Sequence, residues 1–259
     1  MARKEESVFQ RADALNPSAH VTLKHRIGRW LIPKLPISGS LAHELRFEFS
    51  FWATALQNRL SPSYQRTVRK LRKARGLSLN VGSGGRGLPG WVNTDAVWHA
   101  ADQTFACDVR KGLPLSDGSV ARIMAEHVIE HLDFQEELPA TLGHFLRVLQ
   151  PGGWVRIVVP DVRRFVEAYL SNSPGAWAAL GFEKLPADLP TPMLLLNHVF
   201  RQGREHRFAF DFETLAFALK SAGFVEIRQC SFGQSSDPQL AIDRKEHAPY
   251  SLYVEARKP

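Results

Sequence analysis

The chain has 259 residues, 44% of them hydrophobic, and a formal net charge of +7. That composition supplies a sizeable core and excludes disordered, fibrous and disulfide-stapled classes. Two cysteines, Cys107 and Cys230, give no disulfide framework, and no apolar run reaches the length of a membrane span. With no secretory apolar segment in the first twenty residues, the expected location is the reducing cytoplasm.

Residues 1–20 are polar and are expected to be loose. Residues 21–38 set Lys24, Arg26, Arg29 and Lys34 among Ile27, Trp30, Leu31 and Ile32. Such a basic amphipathic segment can lie on an anionic membrane surface, although docking on its own domain is the commoner use. Residues 40–59 place Leu41, Leu45, Phe49 and Trp52 at helical spacing, a stripe expected to face a core or a dimer interface. From Arg59 to Gly76 the chain carries Arg59, Arg66, Arg69, Lys70, Arg72, Lys73 and Arg75 without one acid. The run lacks interleaved aromatics and any reader motif, so it reads as a solvated helix face and not as a nucleic-acid footprint. Residues 21–76 together form a basic helical extension.

Leu77 to Asp95 is the stretch that organises the rest. Leu77–Val81 reads as a buried strand and is followed by Gly82, Gly84, Gly85 and Gly87; Trp91–Thr94 reads as a second strand ending on Asp95. Strand, glycine turn, strand and acid is an arrangement that holds a nucleoside. Glycines let the backbone approach a ligand, and the carboxylate accepts from a ribose diol. The turn also fits GxGxxG, but Leu88-Pro89-Gly90 denies it the helix a pyrophosphate requires. The acid a dinucleotide would need falls near Asp102, outside any strand signal. A cofactor without pyrophosphate fits better, and S-adenosylmethionine is the main candidate.

Strand and helix signals then alternate. Val120–Ala125 is a strand, and Leu138, Leu142, Phe145, Leu146 and Leu149 mark a helix stopped by Gln150-Pro151-Gly152-Gly153. Trp154–Val159 is a buried strand, after which Asp161 caps a helix. Asp211 caps another that stops at Gly223. Phe224–Cys230 and Ser251–Ala256 read as a half-exposed antiparallel pair. The pattern is that of an α/β protein with a mostly parallel sheet.

Four pieces in order resemble a known family: NVGSGGRGLPGWVNTD, ACDVRKGLPLSDGSVARIMAEHVIEHL, LGHFLRVLQPGGWVRIVVPD and DFETLAFALKSAGFVEI. They look like a class I S-adenosylmethionine-dependent methyltransferase of the branch with the methyltransferase type 11 domain. The resemblance is strongest from Leu77 to Pro160. It implies a Rossmann-like, doubly wound sheet of seven strands with an antiparallel C-terminal strand, spanning residues 77–259. It places Gly82, Ser83 and Gly84 against the methionine part of the cofactor. Asp95 would lie on the ribose, Asp108 with Val109 at the adenine, and Glu126 with His127 beside the methyl-transfer site. Asn80 stands where the family often has an acid. The nine-residue connector Gly82–Gly90 leaves room for about one turn of the usual first helix. Similar clipped versions occur in a branch linked to cell-surface sugars.

Methyl transfer from a sulfonium is an in-line displacement in which positioning supplies much of the rate; a hydroxyl acceptor also needs a base. His127, Glu130 and His131 in AEHVIEHL are the catalytic candidates, with structural packing the favoured reading for His131. The same HVIEH matches a zinc-protease pattern, but zinc needs a third ligand and a supporting helix, so no metal is expected. Residues 171–210 read as an inserted lid in which His198, His206 and Arg207 are candidates to meet the acceptor. The expected activity is O-methylation of a small or glycan-like acceptor. A non-catalytic module binding through its basic N-terminal region, and an NAD enzyme, are the alternatives.

Overall fold

The computed structural model describes residues 38–98, 102–171 and 173–259. Residues 1–20, and all of the basic segment 21–38 except Ser38, lie outside that range.

Seven strands form one sheet: β1 (Leu77–Val81), β2 (Val92–Asp95), β3 (Phe105–Ala106), β4 (Val120–Glu126), β5 (Leu149–Pro160), β6 (Val225–Cys230) and β7 (Ser251–Arg257). Their order is β3-β2-β1-β4-β5-β7-β6. β1 to β5 pair in parallel, while β7 runs antiparallel to both β5 and β6. This is the expected Rossmann-like sheet. From β1 the chain steps outward through β2 and β3, then returns to place β4 on the other side. The C-terminal ends of β1 and β4 therefore form the switch-point crevice where such sheets bind ligands.

β7 departs from the expected half-exposed pattern. Six of its seven residues are buried, because it lies inside the sheet between β5 and β6. β6 takes the edge instead and exposes Val225, Glu226, Arg228 and Gln229.

The helices include α1 (Gly39–Leu60), α2 (Pro62–Lys73), α3 (Glu137–Val148), α4 (Val162–Ser171), α5 (Pro174–Ala179), α6 (Pro192–Arg201) and α7 (Phe212–Ser221). The main core joins Leu79, Val81, Ile123, Ala125, Val155 and Ile157 of the sheet to Leu142 and Phe145 of α3 and Leu215 and Leu219 of α7. A second cluster packs Met124, Val158 and Tyr253 with Leu240, flanked by Trp91, Trp154 and Cys230. There the long β6–β7 loop helps to cover the sheet. The β1–β2 connector contributes no helix; it is built of turns.

Gln150-Pro151-Gly152-Gly153 ends α3 as expected, yet the chain continues directly as strand from Leu149. Gly153 permits this, since a Cβ there would stand 2.8 Å from the Ala121 carbonyl oxygen. The capping assignments hold. Asp211 Oδ1 accepts from Thr214 N at 2.9 Å, and Asp161 accepts from the backbone at Arg164 and Arg163 at the start of α4. The insertion packs Trp177, Leu180, Leu195 and Leu196 against Phe165 and Ala168 of α4 in a small core separate from the main one.

Of the two surfaces expected to meet the apolar stripe of α1, the structure removes the core. Leu41, Leu45, Phe49 and Trp52 face solvent, Phe49 at 65% and Trp52 at 60% exposure, and Leu56 and Leu60 extend the stripe. The opposite face docks: Asn58 Nδ2 donates to the Ala106 carbonyl at 2.7 Å, and Trp98 Nε1 donates to Asn58 Oδ1 at 3.2 Å. The polar anchor, invisible to hydrophobic periodicity, sets the helix orientation. No helix among the described residues is long and apolar enough to cross a membrane.

Candidate active site

The glycine turn closes back on the strands at its foot. Ser83 N donates to the Thr94 carbonyl at 3.0 Å, and Gly84 N to Asp95 Oδ2 at 2.8 Å. Ala96 N donates to the other carboxylate oxygen at 2.7 Å. Asp95 is thereby held at the end of β2, facing the turn. Each of its oxygens can accept more than one hydrogen bond. Asn80 Nδ2 donates to Asn93 Oδ1 at 3.0 Å, and that oxygen also accepts from Leu88 N at 2.8 Å. An amide at position 80 can donate where an ionised acid could not, which accounts for the departure at Asn80. Asp102 accepts from Gly87 N at 2.6 Å and so braces the turn from outside any strand.

The turn suits a nucleoside cofactor in two further ways. Ser83 Oγ is buried and meets no hydrogen-bond partner among the described residues. The space where a Cβ of Gly84 or Gly85 would stand is open, with no atom within 4 Å. Gly82 differs: it has φ +69°, and a Cβ there would fall 2.2 Å from Val128 Cγ2. Gly82→Ala combines backbone strain with a clash and is expected to destabilise the fold by about 2–4 kcal/mol. Denaturant melts measure this, and Val128→Ala in the same chain should restore part of the loss. A G82A melt equal to wild type would refute the close packing.

Beyond Asp95 lies a cleft of about 530 Å³, a usual size for a small-molecule site. Ala96, Cys107, Asp108 and Gly112 line its sheet side, Phe51, Thr54 and Asn58 of α1 and Tyr64 of α2 the other. α1 and α2 therefore wall this cleft from the side opposite the sheet. Asp108 reaches this wall, but its carboxylate is engaged by Arg110. It accepts from Arg110 N at 3.0 Å and from Nε and Nη2 at 2.8 Å each. Arg110 also reaches Glu48 and Glu137 at 2.9 Å. Burial works against its charge, but these carboxylates outweigh it and hold the pKa above the usual value. Val109 opens the short 3-10 turn Val109–Lys111 and packs against the main core. The Cys107 thiol is pushed up to about 12, chiefly by burial, and is inert as a nucleophile.

At the end of β4 the chain turns sharply. His127 has φ +55°, a left-handed conformation uncommon for a non-glycine residue. Its Nδ1 lies 3.2 Å from Glu130 Oε1 and its Nε2 3.0 Å from Ser251 Oγ. The ring rests against His247, centroids 4.1 Å apart, with Tyr250 edge-on at 5.9 Å. Glu126 is 6% exposed and faces the same loop. It meets His247 Nδ1 at 2.8 Å and accepts from Arg244 N at 3.3 Å. Glu246 pairs with Arg86 of the glycine turn. Tyr250 stays protonated, its pKa pushed up to about 12 first by burial and then by Glu126.

His127 and His131 do not share a helical face. Ile129–His131 is a single 3-10 turn, and His131 points the other way, its Nδ1 3.1 Å from the Glu205 carbonyl. Glu130 is 1% exposed, too deep to touch a substrate directly. Burial works to raise its pKa, but His127, then His131 and His206, outweigh it and hold the carboxyl below its ordinary range. Its carbonyl accepts from Arg207 N at 2.8 Å and Phe208 N at 3.1 Å, which draws the insertion onto the β4 turn.

Of the three residues expected to meet an acceptor, only His206 joins this cluster. It is buried, with Nδ1 2.7 Å from the Val199 carbonyl and its ring 5.0 Å from that of His131. Burial, reinforced by His131, lowers its pKa. Arg207 contributes its backbone, and its side chain is exposed; His198 lies half-buried on α6. Glu130, His131 and His206 each offer a donor atom within 4.8 Å of the others. The sequence reading missed Arg244, Glu246, His247, Tyr250 and Ser251. The available signal was a dense polar stretch, DRKEHAPYS, directly before a buried strand.

Residues 92–157 match the family model described as a methyltransferase domain. A search of curated proteins returns no match. Among solved structures, the chain is similar to a Thermotoga maritima S-adenosylmethionine-dependent methyltransferase described as a possible histamine N-methyltransferase. That likeness has 17% identity over 83% of this chain and 97% of the other, TM-score 0.42. A methyltransferase from Archaeoglobus fulgidus gives 16% identity over 85% and 100%, TM-score 0.41. A Haemonchus contortus phosphoethanolamine N-methyltransferase 2, in complex with S-adenosylmethionine, gives 13% over 76% and 53%, TM-score 0.41. The stretch that matches a methyltransferase domain runs from β2 into β5, and it lies in a sheet whose strand order is that of the Rossmann-like fold which the resemblance implies.

Proposed function

We propose that this domain methylates a hydroxyl oxygen of a small or glycan-like acceptor. The observation that supports the reading is His127. A strained backbone at the end of β4 holds its ring between a buried carboxylate and a hydroxyl, with its side chain 19% exposed. With the proton on Nδ1, the tautomer that the Glu130 carboxylate 3.2 Å away favours electrostatically, Nε2 is the acceptor toward Ser251 Oγ. A substrate hydroxyl in that neighbourhood meets the same basic nitrogen.

Bound S-adenosylmethionine supplies an activated methyl carbon. Gly82, Ser83 and Gly84 would hold its methionine end, Asp95 its ribose diol, and Asp108, on the cleft wall with Val109 packed behind it, its adenine. Glu126 anchors the loop that closes the site. His127 Nε2 would take the hydroxyl proton as the acceptor oxygen bonds to the methyl carbon and that carbon's bond to the sulfonium sulfur breaks, leaving S-adenosylhomocysteine as the neutral thioether; Glu130 would stabilise the imidazolium.

Calorimetry with S-adenosylmethionine, S-adenosylhomocysteine and NAD, followed by transfer of labelled methyl to alcohol and amine acceptors, tests this reading. Asp95→Ala is expected to weaken both adenosyl compounds by about 2–4 kcal/mol, roughly 30- to 1,000-fold, by removing charge-assisted hydrogen bonds. NAD should not bind. Label found on nitrogen would sink the hydroxyl reading. Binding unaffected by D95A would sink the assignment of the ribose site.

A further inference from the structure

We infer that Glu130, His131 and His206 form a binding site for a zinc-type divalent metal ion. One carboxylate oxygen and one ring nitrogen from each histidine lie within 4.8 Å of one another. The histidine orientations are those of metal ligands. A carbonyl oxygen only accepts, so the contacts of His131 Nδ1 with Glu205 and of His206 Nδ1 with Val199, at 3.1 Å and 2.7 Å, place a proton on each Nδ1. In the neutral ring that leaves the Nε2 lone pair as the remaining donor. Carbonyl-anchored imidazoles of this kind are the usual outer support of a bound metal.

Glu130 gives a second and independent sign. It is 1% exposed, and neither carboxylate oxygen has a well-aligned hydrogen-bond donor among the described residues. The 3.2 Å contact with His127 Nδ1 is an ion-pair distance only. With both rings neutral, the buried carboxylate and the two nitrogen lone pairs converge on one point without a donor between them, and a divalent cation there satisfies all three. Two imidazoles and a carboxylate suit zinc or another late first-row ion better than magnesium or calcium. A tetrahedral ion about 2.0–2.1 Å from each donor brings the donors to roughly 3.4 Å apart, so the site closes slightly as the ion enters. The ligands differ from those of the HVIEH zinc pattern. His127 faces Ser251, and His206 supplies the third donor from a segment remote in sequence.

Three protein ligands leave one position open, and half-buried His131 lies on the accessible side. The ion would pin the insertion to the β4 turn, where the Glu130 carbonyl already holds Arg207 and Phe208.

The full chain, stripped with a chelator and dialysed, is titrated with zinc chloride alone, and with cobalt chloride to read tetrahedral d–d bands. One equivalent is expected to bind per chain. His206→Gln and His131→Gln should each weaken it about 100-fold or more, and His198→Gln, a control away from the cluster, should not change it. Zinc should also raise the wild-type melting temperature, reversed by chelator, which keeps the test open if a variant misfolds. No stoichiometric uptake by wild type, or wild-type affinity in folded H131Q and H206Q, would overturn the site and leave a proton-bridged cluster in its place. Either result leaves the cofactor reading in place, because calorimetry with the adenosyl compounds tests that separately.

Discussion

Replacing His127 by asparagine is expected to lower kcat by about 10²- to 10⁴-fold, the usual contribution of a positioned general base. Asparagine is the informative substitution because the position has φ +55°, a region that asparagine also tolerates. The imidazole is removed while the backbone turn is kept. Affinity for S-adenosylmethionine should stay within about threefold and the melting temperature close to wild type, so the loss falls on kcat. A purely structural histidine would instead shift stability and cofactor affinity together. A drop in turnover of less than about tenfold would mean that the acceptor needs no base, which favours an amine and removes the support for O-methylation.

Replacing Arg156 by methionine is expected to cost about 3–5 kcal/mol of stability, the range for breaking a buried ion pair by removing one partner. Arg156, Asp243 and Glu255 have fully buried side chains. The guanidinium donates from Nε and Nη2 to Asp243 at 2.7 Å each and from Nη1 to Glu255 at 2.9 Å. It also donates to the carbonyls of Gln234 and Ser231. Burial opposes its charge, but the two carboxylates outweigh burial and keep the pKa above its ordinary value. Methionine fills similar volume and leaves Asp243 without its cation and Glu255 with only the looser pair to Arg228, at 3.7 Å. The melting temperature should fall by roughly 10 °C. Combining R156M with Asp243→Asn and Glu255→Gln should recover most of the loss, because it is uncompensated charge that costs stability. A single variant within about 1 kcal/mol of wild type would show that the acids find other partners. The consequence reaches the site: this cluster fixes the loop from Ser231 to Asp243, which leads into Arg244 and His247 on Glu126.

Local features of the chain were sufficient for the frame. The apolar run of β1, the glycines after it and Asp95 at the end of β2 follow from residues near in sequence. So do the caps at Asp161 and Asp211 and the helix stop after α3. Hydrophobic periodicity, turn chemistry and side-chain capping act over a few residues, and each can be read from a single stretch. The connector after β1 is short, as read, but the single helical turn expected in it is absent; it is built of turns.

The catalytic neighbourhood was only half legible. AEHVIEHL pointed to His127, Glu130 and His131, but not to the opposite directions in which the two histidines face. Those are set by a left-handed backbone and by partners 124 and 74 residues away, Ser251 and Glu205. His206 reaches Glu130 because the Glu130 carbonyl accepts from the two backbone amides that follow His206, contacts no local pattern encodes. The stripe of α1 does not face this chain's core, because Asn58, a polar residue, decides the docked face through the Ala106 carbonyl 48 residues away. β7 was taken as half-exposed because its burial depends on β6 lying outside it. The sequence by itself determined the strand order's local ingredients, the glycine turn and the acid that faces it. Only the tertiary structure decided which polar side chains converge, because buried polar groups are satisfied by partners from distant segments, and such partners leave no periodic trace.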